Sequence, residues 1–374
     1  MRTVIVSVSE KKPGVVKLGF GLTNERGLTL RGYVGGGYDN LAGTGRSLSA
    51  RAELNLNVSD IKFPENQFNV GYLEPYIFGS KMRGRVNLIR SQDLSAINRE
   101  IDEVSVKERN DLNFLLEKDL SDNVTLIFGL YKLSLQRTFE KDDKFQEERD
   151  SVATTGPTIE WDYRDDKFNP KQGSFFRLTT EYSDPAIGSS STIKFFKATS
   201  RISHYLPFFG KKIVFVNSLR SGYLKNLSDK ENSGIPASEA FFLGGQSTVR
   251  GFNAFTSSGI SERFPNDLEL NLLQDANFKT DTDFKVTGDS SFSLIKSELR
   301  FPLFGSLEGA VFYDGGFVAV SSFSFSDIYR DSAGFGFHFI TPVGPVNFEL
   351  GFKLDRKQTL GESISRFHFS IGSF

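Results

Sequence analysis

The amino-acid sequence predicts an all-β protein, a 16-stranded antiparallel transmembrane β-barrel with one long connection between strands 11 and 12. Three observations carry that expectation. Apolar and polar residues alternate with period two along the whole chain, as strands with one greasy and one wet face require. The chain has 374 residues with 38 Phe and 11 Tyr, yet its mean hydropathy is negative. Aromatics diluted by lumen-facing polar residues give a barrel that composition. No run approaches the ~18 apolar residues of a membrane-spanning helix, and little 3.6-residue periodicity is found.

The strands are expected near 14–24, 27–38, 46–58, 67–78, 81–91, 103–117, 122–137, 150–164, 173–183, 192–205, 211–224, 290–303, 307–317, 332–341, 344–355 and 365–374. Most are about 10 residues long, enough to cross a bilayer when tilted. In residues 46–58, Leu48, Ala50, Ala52, Leu54, Leu56 and Val58 oppose Ser47, Ser49, Arg51, Glu53, Asn55 and Asn57. Residues 345–355 alternate more cleanly, with Val346, Phe348, Leu350, Phe352 and Leu354 against Asn347, Glu349, Gly351, Lys353 and Asp355. An even strand number lets first and last strands close antiparallel and removes both sheet edges. Uniform meander spacing without a blade repeat argues against a soluble propeller or tandem sandwiches.

Composition excludes several function classes. Lys plus Arg number 45 and Asp plus Glu 46, a net charge of -1, which does not suit a basic nucleic-acid binder. With no Cys there is no disulfide framework, thiolate metal site or Cys nucleophile. Two segments depart from the meander. Residues 1–13 are too short and too poor in apolar residues for a secretory signal, so the chain reads as the C-terminal part of a longer precursor. Residues 225–289 form a polar, Gly/Ser-rich connection far longer than an ordinary loop, and such connections are usually functional or disordered.

That connection contains Phe241-Phe242-Leu243-Gly244-Gly245-Gln246-Ser247-Thr248-Val249-Arg250-Gly251-Phe252. The glycines permit a tight turn with close backbone approach. An arginine inside a barrel needs acidic partners, because an unpaired buried charge is costly. The next two strands supply them: Glu298 falls on the inward face with Lys296 and Arg300, and Asp314 faces inward opposite Val311 and Tyr313. From the residues alone, a solvated loop charge at Arg250 is the commoner reading.

The chain resembles the barrel domain of the BamA/TamA superfamily of outer-membrane protein assembly and translocation factors (bacterial surface antigen D15-like). The resemblance is carried by GGQSTVRGF in the long loop, SELRFPL and VFYDGG on the following strands, NLAGTGRSL at the second turn, DYRDDKFNPKQG at a hairpin, and the TPVGPVNFELGFKLDR…RFHFSIGSF ending. It covers nearly the whole chain from about residue 14. It implies that the loop between strands 11 and 12 folds back into the lumen, with Gly244, Gly245, Arg250, Gly251 and Phe252 locking onto Glu298 and Asp314. Family members carry periplasmic POTRA domains before the barrel, so residues 1–13 are expected to be the end of the last one, with 14–374 the barrel. The resemblance implies unfolded outer-membrane protein clients, the lipid bilayer, and periplasmic or lipoprotein accessory subunits as partners, no nucleic acid and no cofactor, and location in a Gram-negative outer membrane.

In that family the seam lies between first and last strands. Here those strands bring Leu18, Gly19, Phe20, Gly21 and Leu22 against Phe367, Phe369, Ile371, Gly372 and Phe374. Val16, Leu18, Phe20 and Leu22 are expected to face lipid, and glycines weaken the first strand. The implied chemistry is strand exchange by β-augmentation, not bond breaking, so no enzyme is expected. The alternatives are a polypeptide-translocating pore of the two-partner type and a passive pore, for which a 16-strand barrel is wide enough. An outer-membrane lipase or protease is disfavoured. His204, His338 and His368 are the only histidines, and no Ser/Asp spacing accompanies them. His338 and His368 read as inward polar fillers. Asp162, Asp165 and Asp166 lack EF-hand spacing and read as a solvated turn rather than a metal site.

Overall fold

A computed structural model describes residues 12–25, 27–58, 64–98, 103–140, 148–167, 169–229, 234–252, 285–286, 288–320, 329–341, 344–356 and 362–372. The barrel strands, numbered in chain order, are β1 Gly14–Thr23, β2 Thr29–Leu41, β3 Arg46–Asn57, β4 Glu65–Glu74, β5 Met82–Asn98, β6 Glu103–Ser121, β7 Val124–Glu140 and β8 Glu148–Asp162. They continue as β9 Gly173–Ser183, β10 Phe195–Phe208, β11 Ile213–Asn226, β12 Ser290–Phe304, β13 Leu307–Val320, β14 Arg330–Thr341, β15 Gly344–Lys353 and β16 Ser365–Ile371. Each pairs antiparallel with its sequence neighbour, and β1 meets β16 to close the barrel. The long connection adds a two-residue ribbon, Ile235–Pro236 with Lys285–Val286. All sixteen expected segments coincide with a barrel strand. The largest departure is at β5, expected at 81–91 and found at Met82–Asn98; β5, β6 and β7 run to 17, 19 and 17 residues. About ten residues suffice to cross a bilayer, so these three continue beyond it.

Connections at one end are short, as at 122–123, 209–212 and 305–306, and the other end carries long ones such as 227–289. Short periplasmic turns and longer extracellular loops are the rule for such barrels, which sets the orientation. The short NLAGTGRSL turn is built on left-handed backbone at Asn40, Ala42, Gly43 and Gly45, with Asn40 Oδ1 accepting from Gly45 N–H at 2.8 Å. The outer face is apolar: Phe335, Phe337, Phe348 and Phe352 are exposed, while Asp314, Glu349, Lys353 and His368 are buried on the inner face. Burial therefore lies inside the lumen. One apolar cluster joins Leu243, Val249 and Phe252 of the long connection to Leu294 and Val318 of β12 and β13. A second joins Val152, Ile193, Phe195 and Leu224 to Ile235.

Candidate functional site

The descending part of the long connection reverses at residues 244–252. Gly244, Gly245 and Gly251 have φ of 117°, 96° and 95°, a region closed to most side chains. Thr248 Oγ1 donates to Gly244 O and accepts from Gly244 N–H, both at 2.8 Å. Gly245 N–H donates to Phe252 O at 3.1 Å, closing the loop on itself. The tip rests directly on β15, where a Cβ on Gly351 would lie 2.5 Å from Gly251 N and 2.8 Å from Arg250 C.

This rigid tip delivers Arg250. Its Nε and Nη2 donate to Asp314 Oδ2 and Oδ1 at 2.6 and 2.8 Å, and its backbone N–H donates to Asp314 Oδ2 at 3.1 Å. Nη1 donates to Glu298 Oε2 at 2.5 Å and Glu349 Oε1 at 2.7 Å. The guanidinium also lies 3.5 Å from the Phe312 ring centroid, a cation–π contact. The bidentate fork on Asp314 is the geometry arginine makes better than lysine. Around it, Arg300 Nε donates to Glu298 Oε1 at 2.6 Å, and Lys296 Nζ stands 3.7 Å from Asp314 Oδ2. Three carboxylates thus meet the two guanidinium groups of Arg250 and Arg300 and the Lys296 amine, which is how a buried charge cluster avoids an unpaired member.

The structure brings Arg250, Glu298 and Asp314 together, and Gly244, Gly245 and Gly251 shape the loop that carries the arginine. Phe252 is fully buried, with the charged groups of Arg330 and Lys353 5.0 and 5.2 Å from its ring. Four further residues complete the arrangement. Glu349 is the third acid, and Gln246 Nε2 donates to it at 2.9 Å. Gly351 leaves room for the tip. His368 on β16 accepts the Gly251 N–H at Nε2, 3.0 Å away. His368 is therefore a loop contact, not a plain filler; the alternation of β16 placed it inward, but only tertiary proximity gave it a partner. His338 Nε2 lies 3.3 Å from Glu349 Oε1. Glu298, His338 and Glu349 bring ligand atoms within 4.8 Å of one another. The Arg250 guanidinium already occupies the cation position between the two carboxylates.

The hairpin at 163–172 is held by ordinary turn chemistry. Asp165 Oδ1 accepts from the N–H groups of Asp166, Lys171 and Gln172 at 3.1, 2.9 and 3.0 Å, and Oδ2 accepts from Lys211 Nζ at 2.9 Å. The Lys211 ammonium, then the Gln172 and Lys171 amides, hold the Asp165 carboxyl well below the usual carboxylate range.

At the seam the two sides of β1 differ. All ten residues of β1 pair with β2, from Gly14↔Tyr38 to Thr23↔Thr29. Among the described residues, only Leu22↔Ile371 and Thr23↔Ser370 pair with β16. Beyond these, Asn24 completes the seam with its side chain: Nδ2 donates to Phe367 O at 2.8 Å and Oδ1 accepts from Phe369 N–H at 2.9 Å. Val16 and Phe20 are each 77% exposed, against 42–45% for Phe335, Phe337 and Phe348, and among the described residues no second strand pairs with β1 there. Leu18 is exposed too, and Phe367 faces outward on the other strand. Gly372, at φ 101°, turns the chain out of β16. Phe374 lies outside the described residues. A cavity of about 750 Å³ beneath the loop tip is lined by Gln246, Arg250, His338 and the seam residues Leu22, Ser370 and Gly372, so lock and seam share one chamber.

A closed 16-stranded barrel, lined by charge and locked from within by an arginine loop, defines a transmembrane barrel of the BamA/TamA type. The Omp85 superfamily domain matches residues 40–374, and the chain belongs to that superfamily; fold and family place it in a Gram-negative outer membrane. It is 23% identical to the outer membrane protein assembly factor BamA of Neisseria meningitidis serogroup B, over 98% of this chain and 48% of the relative. It is 24% identical to BamA of Nitratidesulfovibrio vulgaris, over 57% of this chain and 24% of the relative. The chain thus spans half or less of these curated relatives. Among solved structures, BamA from Haemophilus ducreyi lacking POTRA domains 1–3 superposes with a TM-score of 0.74 at 17% identity, covering 97% of this chain and 70% of the other. CdiB from Escherichia coli superposes at 0.65 with 16% identity, covering 97% and 63%.

Proposed function

We propose that this barrel belongs to an outer-membrane protein assembly and insertion factor that works at the β1–β16 seam by strand templating. The observation that carries the reading is the asymmetry of β1, with ten rungs to β2 and two to β16. An unpaired strand edge presents backbone donors and acceptors to an extended partner, here the last strand of an unfolded barrel client. The reaction exchanges hydrogen bonds and breaks no covalent bond. Arg250, Gly251 and the Glu298, Asp314 and Glu349 carboxylates hold the loop as an internal brace while the seam opens. The BamA relatives, named as assembly factors, support this reading over a passive pore. So does the seating of residues 243–252 inside the lumen.

These 374 residues contain no cysteine, so no barrel thiol competes in the test. A single cysteine replaces Leu18 on the free edge, the full-length protein is used, and a client barrel carries one cysteine in its C-terminal strand. A register-specific disulfide formed during client folding is the expected result. Uniform or absent linkage, together with large constitutive ion conductance, would refute templating.

A further inference from the structure

The β1–β2 ribbon combines an unsupported edge with a backbone that favours fraying. Gly14, Gly19 and Gly21 lie in β1, and Gly32, Gly35, Gly36 and Gly37 in β2. Glycine in a strand interior costs chain entropy and leaves nothing to pack. Two consecutive rungs counter this. At Gly19↔Tyr33 the tyrosine points into the lumen and its ring covers Gly19 so closely that a Cβ there would overlap it. At Phe20↔Gly32 the roles reverse on the lipid face, where a Cβ on Gly32 would touch the Phe20 ring at 3.8 Å. Each glycine is thus capped by an aromatic ring from the opposite strand, one on each side of the sheet. A ring laid over a cross-strand glycine restores the packing the glycine lacks.

The inner ring is itself backed. The Arg51 guanidinium of β3 lies 3.9 Å from the Tyr33 ring centroid, and Arg51 Nη2 is 3.0 Å from Glu53 Oε2. Gly19, Tyr33 and Arg51 therefore connect β1 through β2 to β3. Both ring contacts tie β1 to β2, and neither involves β16.

We propose that Tyr33, seated between Gly19 and Arg51, and Phe20, seated on Gly32, form a two-faced clasp that keeps β1 extended as a free edge and makes the barrel open between β1 and β16 rather than between β1 and β2. Tyr33 is a positioning residue for strand capture, and in this respect the inference rests on the templating reading. Without the clasp, β1 leaves the sheet more often and the edge is less often in register for a client.

The test uses the full-length protein in bilayers with Tyr33→Ala, Tyr33→Phe and Gly19→Ala. Amide hydrogen exchange is measured across β1, with β12–β15 as internal reference. Tyr33→Ala is expected to raise β1 exchange about fivefold, the upper end for a cross-strand aromatic contact, with β12–β15 unchanged. Tyr33→Phe keeps the ring and should match the unmodified protein. Gly19→Ala forces the ring away and should reproduce Tyr33→Ala, and it serves as the second variant if Tyr33→Ala does not fold. The Leu18 cysteine crosslink to a client should fall by a similar factor in Tyr33→Ala and recover in Tyr33→Phe. Unchanged β1 exchange in both Tyr33→Ala and Gly19→Ala overturns the clasp. Raised exchange with undiminished crosslinking overturns the positioning role. Absence of any crosslink in the unmodified protein overturns templating itself, while the exchange comparison still decides the clasp.

Discussion

Replacing Arg250 with alanine removes four side-chain hydrogen bonds, two to Asp314 and one each to Glu298 and Glu349, and the contact with Phe312. Charge-assisted bonds of this kind contribute about 1.5–3 kcal/mol each when taken singly, but they share one guanidinium and do not add. The larger effect is what remains. Asp314 is fully buried and, among the described residues, keeps only the backbone N–H of residue 250 at 3.1 Å and Lys296 at 3.7 Å, and Glu349 loses its shortest hydrogen bond. Breaking a buried pair by removing one member costs about 3–5 kcal/mol, a shift of roughly 10²–10⁴ in the equilibrium between docked and released loop. Cleavage of loop residues 241–252 by an added protease, in the folded barrel, measures that equilibrium directly. Arg250→Ala should turn a protected loop into a cleaved one and reduce client assembly at normal protein levels. Arg250→Lys, which keeps charge without the bidentate fork, should fall between. Protection and assembly equal to the unmodified protein in Arg250→Ala would refute the brace.

Two other outcomes follow from the same geometry. Gly351→Ala places a methyl group where Gly251 N and Arg250 C now lie; overpacking of this kind costs about 1–3 kcal/mol, so the loop should become protease-sensitive while the barrel remains heat-modifiable on gels. Asp165 has a depressed folded pKa, so its contribution is fully present above the unfolded carboxylate value of about 3.9 and is lost as pH falls through the folded value. The amide resonances of Lys171 and Gln172, whose N–H groups it accepts, should therefore titrate below the ordinary carboxylate range, and a midpoint near pH 4 would refute the depression.

The placement of the lock was legible in the sequence to the extent that alternation is legible. Period two on β12 and β13 turned Glu298 and Asp314 inward, and VRGF supplied the arginine between them. The same alternation turned Glu349 and His368 inward. It could not assign them to the loop, because β15 and β16 reach Arg250 and Gly251 only through barrel closure, 99 and 117 residues away in sequence. Gly351 was legible as an inward residue, but its use as the floor under Gly251 depends on how deeply the loop descends.

The seam shows the same division. Residue types made β1 glycine-rich and gave it an apolar outer face at Val16, Leu18 and Phe20. How many rungs join it to β16 depends on the register in which the barrel closes, and neither strand encodes that register alone. The ring of Tyr33 over Gly19 is likewise a consequence of pairing, since a one-residue slip would send that ring to the lipid face. The sequence by itself determined strand number and strand facing, because side-chain alternation is a local property of an extended chain, and the resemblance of its VRGF segment to the family loop pointed to the central arginine. Tertiary structure alone decided the third acid, the histidine under the loop, the two-rung seam and the aromatic clasp, because each is made by strands that meet only when the sheet closes.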